Sequence, residues 1–458
     1  MNIQAKKSNL SGHIQVPGSK SHTIRALLFA SLAEGTSHIK NPLPGADCIS
    51  SSQAVPLFGA KVDISNENEW VVEGAGKNAH LPSDVVNVGD SGSLLYFMSP
   101  VAATFEGWTI FTGDESIRTR PVLHVVDALK QLGAEAYISR PEKNAPPLLV
   151  KGPIKPNQTI VTDGALSQYI SGIMMAASRL EGVTNIELTN PKEIPFLVMT
   201  KQWLESLGVK LEISEDFKHI KVYGPTQMKA FDRTIPSDWE AVAFPLIAAL
   251  LTDSEIVIDN VDNSGSQGDK AIVDVLKAVG ADIEEDANTN FLIVRGGTKS
   301  RTPFGRLSTE KLENNELRVN ISGFPDAICA LAVASCFVEG TVILEDAAVC
   351  RKKETDRIAV LEKQLRELGA DISSGDDYLK ICGHSPLLPD GSKNPEFKIH
   401  GGTVESFDDH RIAMAFACLG LALSEGDSIV VKDAECCAVS FPKFYEVMQK
   451  INATFTTV

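Results

Sequence analysis

The sequence predicts an α/β protein of two domains, each containing three copies of one supersecondary unit. The chain has 458 residues, about three times the length of a typical domain, so at least two domains are expected. Its 43% apolar and 22% charged residues are ordinary for a globular protein. A unit with glycine-to-glycine spacings of about 70–90 residues recurs along the chain, a period that suits small α/β subdomains and is too long for a solenoid.

Each copy of the unit consists of an amphipathic helix, a Leu-Gly-Ala type ending and two short strands. Before the glycine, apolar residues recur at helical spacing, as at Ile272, Val275 and Leu276. The glycine follows the last helical turn, where a left-handed conformation disfavours other residues. In chain order these positions are Gly59, Gly133, Gly208, Gly280, Gly369 and, in a degenerate sixth copy, Asn452. Six copies divide naturally into two domains of three.

Net charge and cysteine usage restrict the class of protein. The formal charge of −16 argues against a nucleic-acid or anionic-membrane surface, because like charges repel. The eight cysteines lack the paired spacing of a zinc site, so free thiols in a reducing cytosol are expected. Segment 1–7 has no apolar stretch typical of a signal peptide, and no apolar run reaches the ~20 residues that span a bilayer. We expect a soluble intracellular protein.

Five polar segments place cations or small residues at the starts of predicted helices. They are segments 16–25, 89–93, 113–121, 351–357 and 407–415. In the first, Ser21 or Thr23 is expected to cap the helix, and Lys20 and Arg25 are too polar for the core. Free amides and the macrodipole at a helix start favour anions, so the five segments together predict binding of a compact, multiply charged anion. Taken alone, each segment also fits an ordinary capping loop with solvated charges.

Three of these segments carry more specific expectations. Two arginines precede a helix that Pro121 is expected to start. Thr355-Asp356 can cap the helix predicted over 358–368. Asp409 and His410 form no convincing catalytic dyad by themselves, because no nucleophile is placed near them by spacing.

The order of short motifs along the chain resembles a known family. The motifs are Pro-Gly-Ser-Lys-Ser-x-x-x-Arg, Arg-Pro, Ser-Gln, Pro-Asp-Ala, Lys-Glu-Thr-Asp-Arg and Asp-His-Arg. From Val16 to Pro442 this combination resembles the EPSP synthases (3-phosphoshikimate 1-carboxyvinyltransferases). The first and fifth motifs are highly specific to that family, and the loop cysteine of UDP-N-acetylglucosamine enolpyruvyl transferases has no counterpart near Arg120.

The resemblance implies the two-domain enolpyruvyl transferase fold, with three βαβαββ-type units per domain and an active site in the interdomain cleft. The implied domains are 1–18 plus 237–458 and 19–236.

The resemblance also implies an activity and its residues. The activity is transfer of the carboxyvinyl group of phosphoenolpyruvate to the 5-hydroxyl of shikimate 3-phosphate, in a monomeric cytoplasmic enzyme of aromatic amino acid biosynthesis. Asp326 would accept the proton of the attacking hydroxyl, Glu354 would protonate the methylene carbon, and Lys20 would contact both substrates. The other implied residues are Ser21, Arg25, Ser167 and Lys353 for the acceptor, Gly92, Arg120 and Gln168 for the phosphate of phosphoenolpyruvate, and Arg357 and Arg411 for its carboxylate. Lysine and arginine supply the positive field, so neither a metal nor a cofactor is expected.

Five matched positions depart from the family pattern. Serines of the family are replaced by Leu166 and Glu193, and an asparagine by Val349. Cations of the family are replaced by Tyr96 and Val439. A carboxylate at Glu193 would repel an acceptor phosphate unless it were protonated or turned away. Because the phosphoenolpyruvate and proton-transfer residues are mostly kept, the sequence favours an EPSP synthase. An enolpyruvyl transferase with a different hydroxyl acceptor and a non-catalytic ligand-binding homologue are the alternatives.

Overall fold

The computed structural model describes residues 1–286 and 288–458 and divides into two compact units. Unit 1 comprises Met1–Pro17 and Ser237–Val458, and unit 2 comprises Gly18–Pro236. The predicted domain division assigned Gly18 to the first domain, whereas it belongs to unit 2. There its Cα approaches the carbonyl oxygen of Asn41 so closely that no side chain would fit. Among the described residues, no helix combines the length and the apolar character needed to cross a membrane.

Helices and short strands alternate along the whole chain. The helices of the described residues are α1 Lys20–Leu32, α2 Ala46–Ala54, α3 Gly92–Ala102, α4 Leu123–Gln131, α5 Ser167–Ala177, α6 Ile194–Ser206, α7 Trp239–Leu250, α8 Ala271–Ala278, α9 Ile328–Ser335, α10 Arg357–Glu367, α11 His410–Leu421 and α12 Phe444–Gln449. The strands are β1 Ile3–Lys6, β2 Ser11–Gln15, β3 Glu34–Lys40, β4 Lys61–Asn66, β5 Glu69–Ala75, β6 Val86–Asn87, β7 Gly107–Thr112, β8 Glu135–Ile138, β9 Leu148–Gly152, β10 Thr159–Thr162, β11 Gly182–Leu188, β12 Lys210–Ile213, β13 His219–Gly224, β14 Asp232–Thr234, β15 Glu255–Asp259, β16 Asp282–Asp286, β17 Phe291–Arg295, β18 Leu307–Ser308, β19 Glu316–Asn320, β20 Val338–Glu345, β21 Asp371–Ser374, β22 Leu379–Gly383, β23 Gly402–Glu405, β24 Ser428–Lys432 and β25 Thr454–Thr457.

The described strands form six small sheets that share one pairing pattern, three sheets in each unit. In every sheet an edge strand runs parallel to the second strand, and the second, third and fourth strands pair antiparallel. The strand orders are β2-β15-β17-β16, β18-β20-β22-β21 and β23-β24-β1-β25 in unit 1, and β14-β3-β5-β4, β6-β7-β9-β8 and β10-β11-β13-β12 in unit 2. Strand β19 also pairs parallel with β20. One pattern present six times is what a sixfold repeated unit predicts.

The residues that end the repeated helices adopt the predicted left-handed backbone conformation. The φ angle of Gly280 is 94°, and the other four glycines of the repeat have φ angles between 86° and 104°. Asn452 takes the same role in the sixth copy with φ at 74°, a conformation that asparagine tolerates better than most residues. The degenerate copy therefore keeps the helix ending of the others.

Three buried helices form the centre of each unit, α7, α9 and α11 in unit 1 and α1, α3 and α5 in unit 2. Beyond their first turns, nearly every residue of these helices is buried. The three helices of unit 1 pack on one another, and in unit 2 helix α3 packs on α1 and α5. Their sequences lack a polar stripe because no face meets water. Charged side chains are therefore found in the first two turns of these helices, where most of the candidate site residues lie.

Candidate active site

Asp326 lies at the centre of a group of charged side chains in unit 1, in a turn directly before α9. Its Oδ1 accepts hydrogen bonds from Arg357 Nη1 at 2.6 Å and Arg411 Nε at 3.0 Å. Its Oδ2 accepts a hydrogen bond from Lys353 Nζ at 3.1 Å. Burial alone raises the pKa of Asp326, but the charges of Lys353, Arg411 and Arg357 outweigh burial and hold the pKa well below its usual value. The carboxylate is therefore ionised.

Arg357, the first residue of α10, is fully buried and binds three carboxylates. Besides Asp326, it donates from Nη2 to Glu354 Oε2 at 2.6 Å and from Nε to Asp409 Oδ2 at 2.7 Å. Burial lowers the pKa of Arg357, but the negative charges of Glu354, Asp409 and Asp326 raise it well above its usual value. The helix itself is capped by Asp356, as predicted, whose Oδ1 accepts from the amide of the third helical residue at 3.0 Å.

Arg411 completes this group of side chains from the first turn of α11. Its Nε contacts Asp326, its Nη2 forms an ion pair with Glu240, and its Nη1 donates to the Glu240 carbonyl oxygen at 3.3 Å. Burial lowers the pKa of Arg411, whereas the charges of Glu240 and Asp326 hold it above its usual value. Asp409 caps α11 by accepting the Arg411 amide at 2.9 Å. We call the side chains of Asp326, Lys353, Glu354, Arg357, Asp409, Arg411 and Glu240 the charged cluster.

Glu240 and Asp409 were missed by the sequence analysis as partners of the two arginines. The sequence does contain a signal that points to these two partners. Each carboxylate lies at the start of a helix that is otherwise apolar, and a charge in such a place is buried only with a partner. Asp269 lies near Glu240 and Asp326, and burial, followed by their negative charges, raises its pKa well above the usual value.

In unit 2, Arg25 is buried without a carboxylate partner. Its hydrogen bonds run to Thr200 Oγ1 at 2.9 Å, Ser21 O at 3.1 Å, Phe196 O at 3.3 Å and Ser171 Oγ at 3.5 Å. The guanidinium also lies 4.7 Å from the ring centre of Phe97. Burial lowers the pKa of Arg25 to about 9. The prediction that Arg25 is too polar for the core is wrong, because hydroxyl and carbonyl oxygens of the enclosing helices accept its hydrogen bonds and leave it 1% exposed.

The start of α1 differs from the prediction in its capping residue. Ser19, and not Ser21 or Thr23, caps the helix, which begins at Lys20. Thr23 Oγ1 instead donates to the Ser19 carbonyl oxygen at 2.8 Å, so it already belongs to the helix. Lys20 Nζ lies 3.6 Å from Asp47 Oδ2. This cation of unit 2 therefore has a carboxylate neighbour, unlike Arg25.

The starts of α3 and α5 lie together in unit 2. Gly92 is the first residue of α3, and Gln168 Nε2 of α5 donates to Ser93 Oγ at 2.9 Å. Arg120 follows a short turn ahead of α4, and its side chain makes no hydrogen bond to any other described residue. Helix α4 begins at Leu123 and not at Pro121 as predicted, because Val122, with a φ angle of −131°, lies outside the helical range.

The positions that depart from the family pattern have different surroundings. Ser167 donates to Glu193 Oε2 from its amide at 3.1 Å and from its hydroxyl at 2.8 Å. Tyr96 is buried and donates from its hydroxyl to the Pro121 carbonyl oxygen at 2.8 Å. Val349 is an exposed residue of the turn before Lys353. Val439 ends a helical turn that follows β24 and carries no charge to the predicted site.

Comparison with known proteins gives similarity over the whole chain. The family model described as EPSP synthase (3-phosphoshikimate 1-carboxyvinyltransferase) matches residues 4–448. A protein of Ruminiclostridium cellulolyticum named 3-phosphoshikimate 1-carboxyvinyltransferase is 38% identical over 446 residues, 97% of each chain. The solved EPSP synthase of Acinetobacter baumannii superimposes with a TM-score of 0.81 at 25% identity, covering 99% of each chain. The enolpyruvyl transferase NikO of Streptomyces tendae shares the fold, with a TM-score of 0.74 at 16% identity over 99% of this chain and 98% of its own.

Proposed function

The chain belongs to the EPSP synthase family, and from this premise we propose that it transfers the carboxyvinyl group of phosphoenolpyruvate to the 5-hydroxyl of shikimate 3-phosphate. The observation that supports this most is the state of Asp326, an ionised carboxylate held by three cations. Such a group can take the proton of an attacking hydroxyl, and a neutral acid in its place could not.

The residues of the charged cluster suit an addition followed by an elimination. In the addition, Asp326 takes the hydroxyl proton, Glu354 gives a proton to the methylene carbon, and the acceptor oxygen bonds to the central carbon. In the elimination, the methyl group returns a proton, the double bond re-forms and the carbon–oxygen bond to phosphate breaks. The Glu354 side chain is 33% exposed and that of Asp326 13%, so Glu354 is the carboxyl group better placed to regain a proton from solvent.

The same cluster provides the groups for a carboxylate substrate. Arg357 and Arg411 present guanidinium groups, which bind carboxylates with two parallel hydrogen bonds. In this structure both arginines already bind carboxylates of the protein, Glu354 and Glu240 among them. We propose that the carboxylate of phosphoenolpyruvate replaces one of these partners. The exchange keeps each arginine paired throughout, so no guanidinium is left buried without an anion.

Unit 2 would supply the residues for the phosphate groups. Its candidate residues for phosphoenolpyruvate phosphate are Gly92, Arg120 and Gln168, and those for the acceptor are Ser21, Arg25 and Ser167, with Lys20 for both and Lys353 from unit 1. Arg25 and Arg120 have no carboxylate partner among the described residues, which leaves their charge available to an anion. Positive charge around a leaving phosphate stabilises the charge that develops on it.

The proposal includes a cellular setting and a set of partners. Phosphoenolpyruvate and shikimate 3-phosphate are the proposed partners, and the protein would act as a monomer in the cytoplasm, in aromatic amino acid biosynthesis. All eight cysteines are free, as thiols are in a reducing compartment. The net charge of −16 fits small substrates bound at local cation groups better than it fits a nucleic acid.

The test is release of phosphate by the purified protein with both substrates present. We expect one phosphate per carboxyvinyl product, and Glu354→Gln should lower kcat by about 10²–10⁴-fold while the melting temperature stays nearly constant. Glu367→Gln, an exposed glutamate in the last turn of α10, is the matched control and should behave as wild type. Absence of phosphate release from the wild-type protein at saturating concentrations of both substrates would contradict the proposed function.

A further inference from the structure

Glu193 occupies the start of α5 with its carboxylate. Its Oε2 accepts hydrogen bonds from both the amide and the hydroxyl of Ser167, the first residue of the helix. We propose that Glu193 is a specificity-determining residue, an internal anion that the phosphate of the acceptor has to displace before it can bind. This inference rests on the proposed function, which assigns Ser167 and Arg25 to the acceptor.

The residue before α5 explains why an anion from another element is needed. Leu166 stands in the capping position with extended backbone angles but offers no side-chain acceptor. The first amides of a helix then lack partners, and the macrodipole favours a negative charge beside them. Glu193 supplies both the acceptor and the charge. Two of the departures from the family pattern, Leu166 and Glu193, are therefore one compensated change.

The backbone of Glu193 shows that this position is constrained. Its φ angle is 51°, in the left-handed region that side chains other than glycine and asparagine rarely adopt. The residue lies immediately before α6, so its carboxylate reaches across from the start of α6 to the start of α5. Release of the carboxylate from Ser167 would remove the hydrogen bonds that accompany this conformation.

Arg25 provides a second and independent indication of an anion at these two helices. Its guanidinium donates to Ser171, one turn after Ser167 on α5, and to Phe196 and Thr200 on α6. It is 1% exposed, and its partners among the described residues are neutral. A buried cation with neutral partners is costly unless an anion joins it. Glu193 does not fulfil this role, because its carboxylate is bonded to Ser167.

A phosphate dianion that reaches Ser167 would meet the Glu193 carboxylate at the same hydroxyl. Like charges at this separation repel strongly in a partly buried site. The acceptor therefore binds with Glu193 turned away, and its affinity is reduced by the loss of the Glu193–Ser167 contact. We expect a reduction of about tenfold, the size of one charge-assisted capping contact. An acceptor without phosphate would not meet this competition.

Calorimetric titration of shikimate 3-phosphate and of shikimate, which lacks the phosphate, tests the inference. Glu193→Gln keeps an oxygen for Ser167 but removes the charge, so the Kd for shikimate 3-phosphate should fall about tenfold and the Kd for shikimate should not change. Glu193→Ser, as a second variant, should act in the same direction. Glu187→Gln, an exposed glutamate of β11, is the matched control and should change neither constant.

The outcomes separate this inference from the proposed function. An unchanged or higher Kd for shikimate 3-phosphate in both Glu193 variants would overturn the inference, as would an equal gain for both ligands. Melting temperatures of the variants show whether they are folded. Phosphate release by the wild-type protein is measured in parallel. If the wild-type protein turns over and the Kd values do not respond, only the role of Glu193 is wrong. If there is no turnover, the proposed function is wrong.

Discussion

Arginines are buried in both units, but their hydrogen-bond partners differ: carboxylates in unit 1, and neutral oxygens around Arg25 in unit 2. In unit 1, Arg357 and Arg411 are enclosed by carboxylates, and Asp326 binds both of them. In unit 2, Arg25 is just as buried, yet its hydrogen bonds end on hydroxyl and carbonyl oxygens. This difference explains why the pKa values of Arg357 and Arg411 are raised, whereas the pKa of Arg25 is lowered.

The comparison teaches that one protein holds two kinds of cation site. In the charged cluster both arginines are paired with carboxylates before a ligand binds, and their charges keep Asp326 ionised. The Arg25 site is incomplete, because a buried guanidinium with neutral partners lacks an anion. We therefore propose that the first site carries the chemistry and that the second recognises an anionic group of the acceptor.

The largest expected effect is on turnover, from a change in the charged cluster. Asp326→Asn keeps the shape of the side chain but removes the base, so kcat should fall by about 10³-fold. Steady-state phosphate release measures it. Asp371→Asn, an exposed aspartate of β21, is the control. A kcat within a factor of three of wild type would remove Asp326 from proton transfer.

Stability should separate the two kinds of arginine. Arg357→Met leaves the carboxylates of Asp326, Glu354 and Asp409 without their shared partner, so the free energy of unfolding should fall by about 3–5 kcal/mol. Arg25→Met should change it by about 1 kcal/mol or less, because no carboxylate loses a partner and Thr200 Oγ1 still lies 2.8 Å from Ser171 Oγ.

Urea denaturation of these two variants provides the measurement. Equal losses of stability in Arg357→Met and Arg25→Met would contradict the distinction between a completed and an incomplete cation site. The slope of unfolding free energy against urea should be the same in both variants, since neither substitution changes the surface exposed on unfolding.

Recognition of the acceptor should depend on Arg25, whose hydrogen-bond partners are neutral. Arg25→Met removes this buried positive charge, so the KM for shikimate 3-phosphate should rise about 100-fold, while the KM for phosphoenolpyruvate changes little. Arg179→Met is the control, because Arg179 is a half-buried arginine of the same unit that donates to Thr104 and lies over the ring of Phe105. A similar rise in both KM values would place Arg25 outside the acceptor site.

The smallest expected effect concerns the start of α5, where the Glu193 carboxylate accepts hydrogen bonds from Ser167. Glu193→Ala removes the acceptor for Ser167, and the free energy of unfolding should fall by about 1 kcal/mol, the value of a helix cap. Glu193→Gln should lose less, because an amide oxygen remains. Thermal or urea unfolding with Glu187→Ala as control gives the comparison. No loss in Glu193→Ala would mean that water replaces the carboxylate at no cost.

The fold was largely predictable because its determinants are local. Helical spacing of apolar residues and the left-handed position at Gly280 and its counterparts act within a few residues, so the repeat is visible in the sequence. The cap at Asp356 was predictable for the same reason. The start of α4 was misplaced, because Pro121 fits a first helical turn without requiring one.

The site was only partly predictable because its contacts join distant segments. Glu240 and Arg411 are 171 residues apart in sequence, and no local pattern connects them. The burial of Arg25 depends on Thr200 and Phe196, which lie on a helix far along the chain. The sequence predicts that a carboxylate at Glu193 would repel an acceptor phosphate. Only the structure shows that this carboxylate accepts a hydrogen bond from Ser167.

Kinetics of phosphate release by Asp326→Asn and Arg25→Met, with shikimate 3-phosphate varied at saturating phosphoenolpyruvate, test the central claim most directly. The division between a complete charged cluster and an incomplete phosphate site predicts a large loss of kcat in Asp326→Asn and a large rise of the acceptor KM in Arg25→Met. A loss confined to KM in Asp326→Asn, or confined to kcat in Arg25→Met, would contradict it.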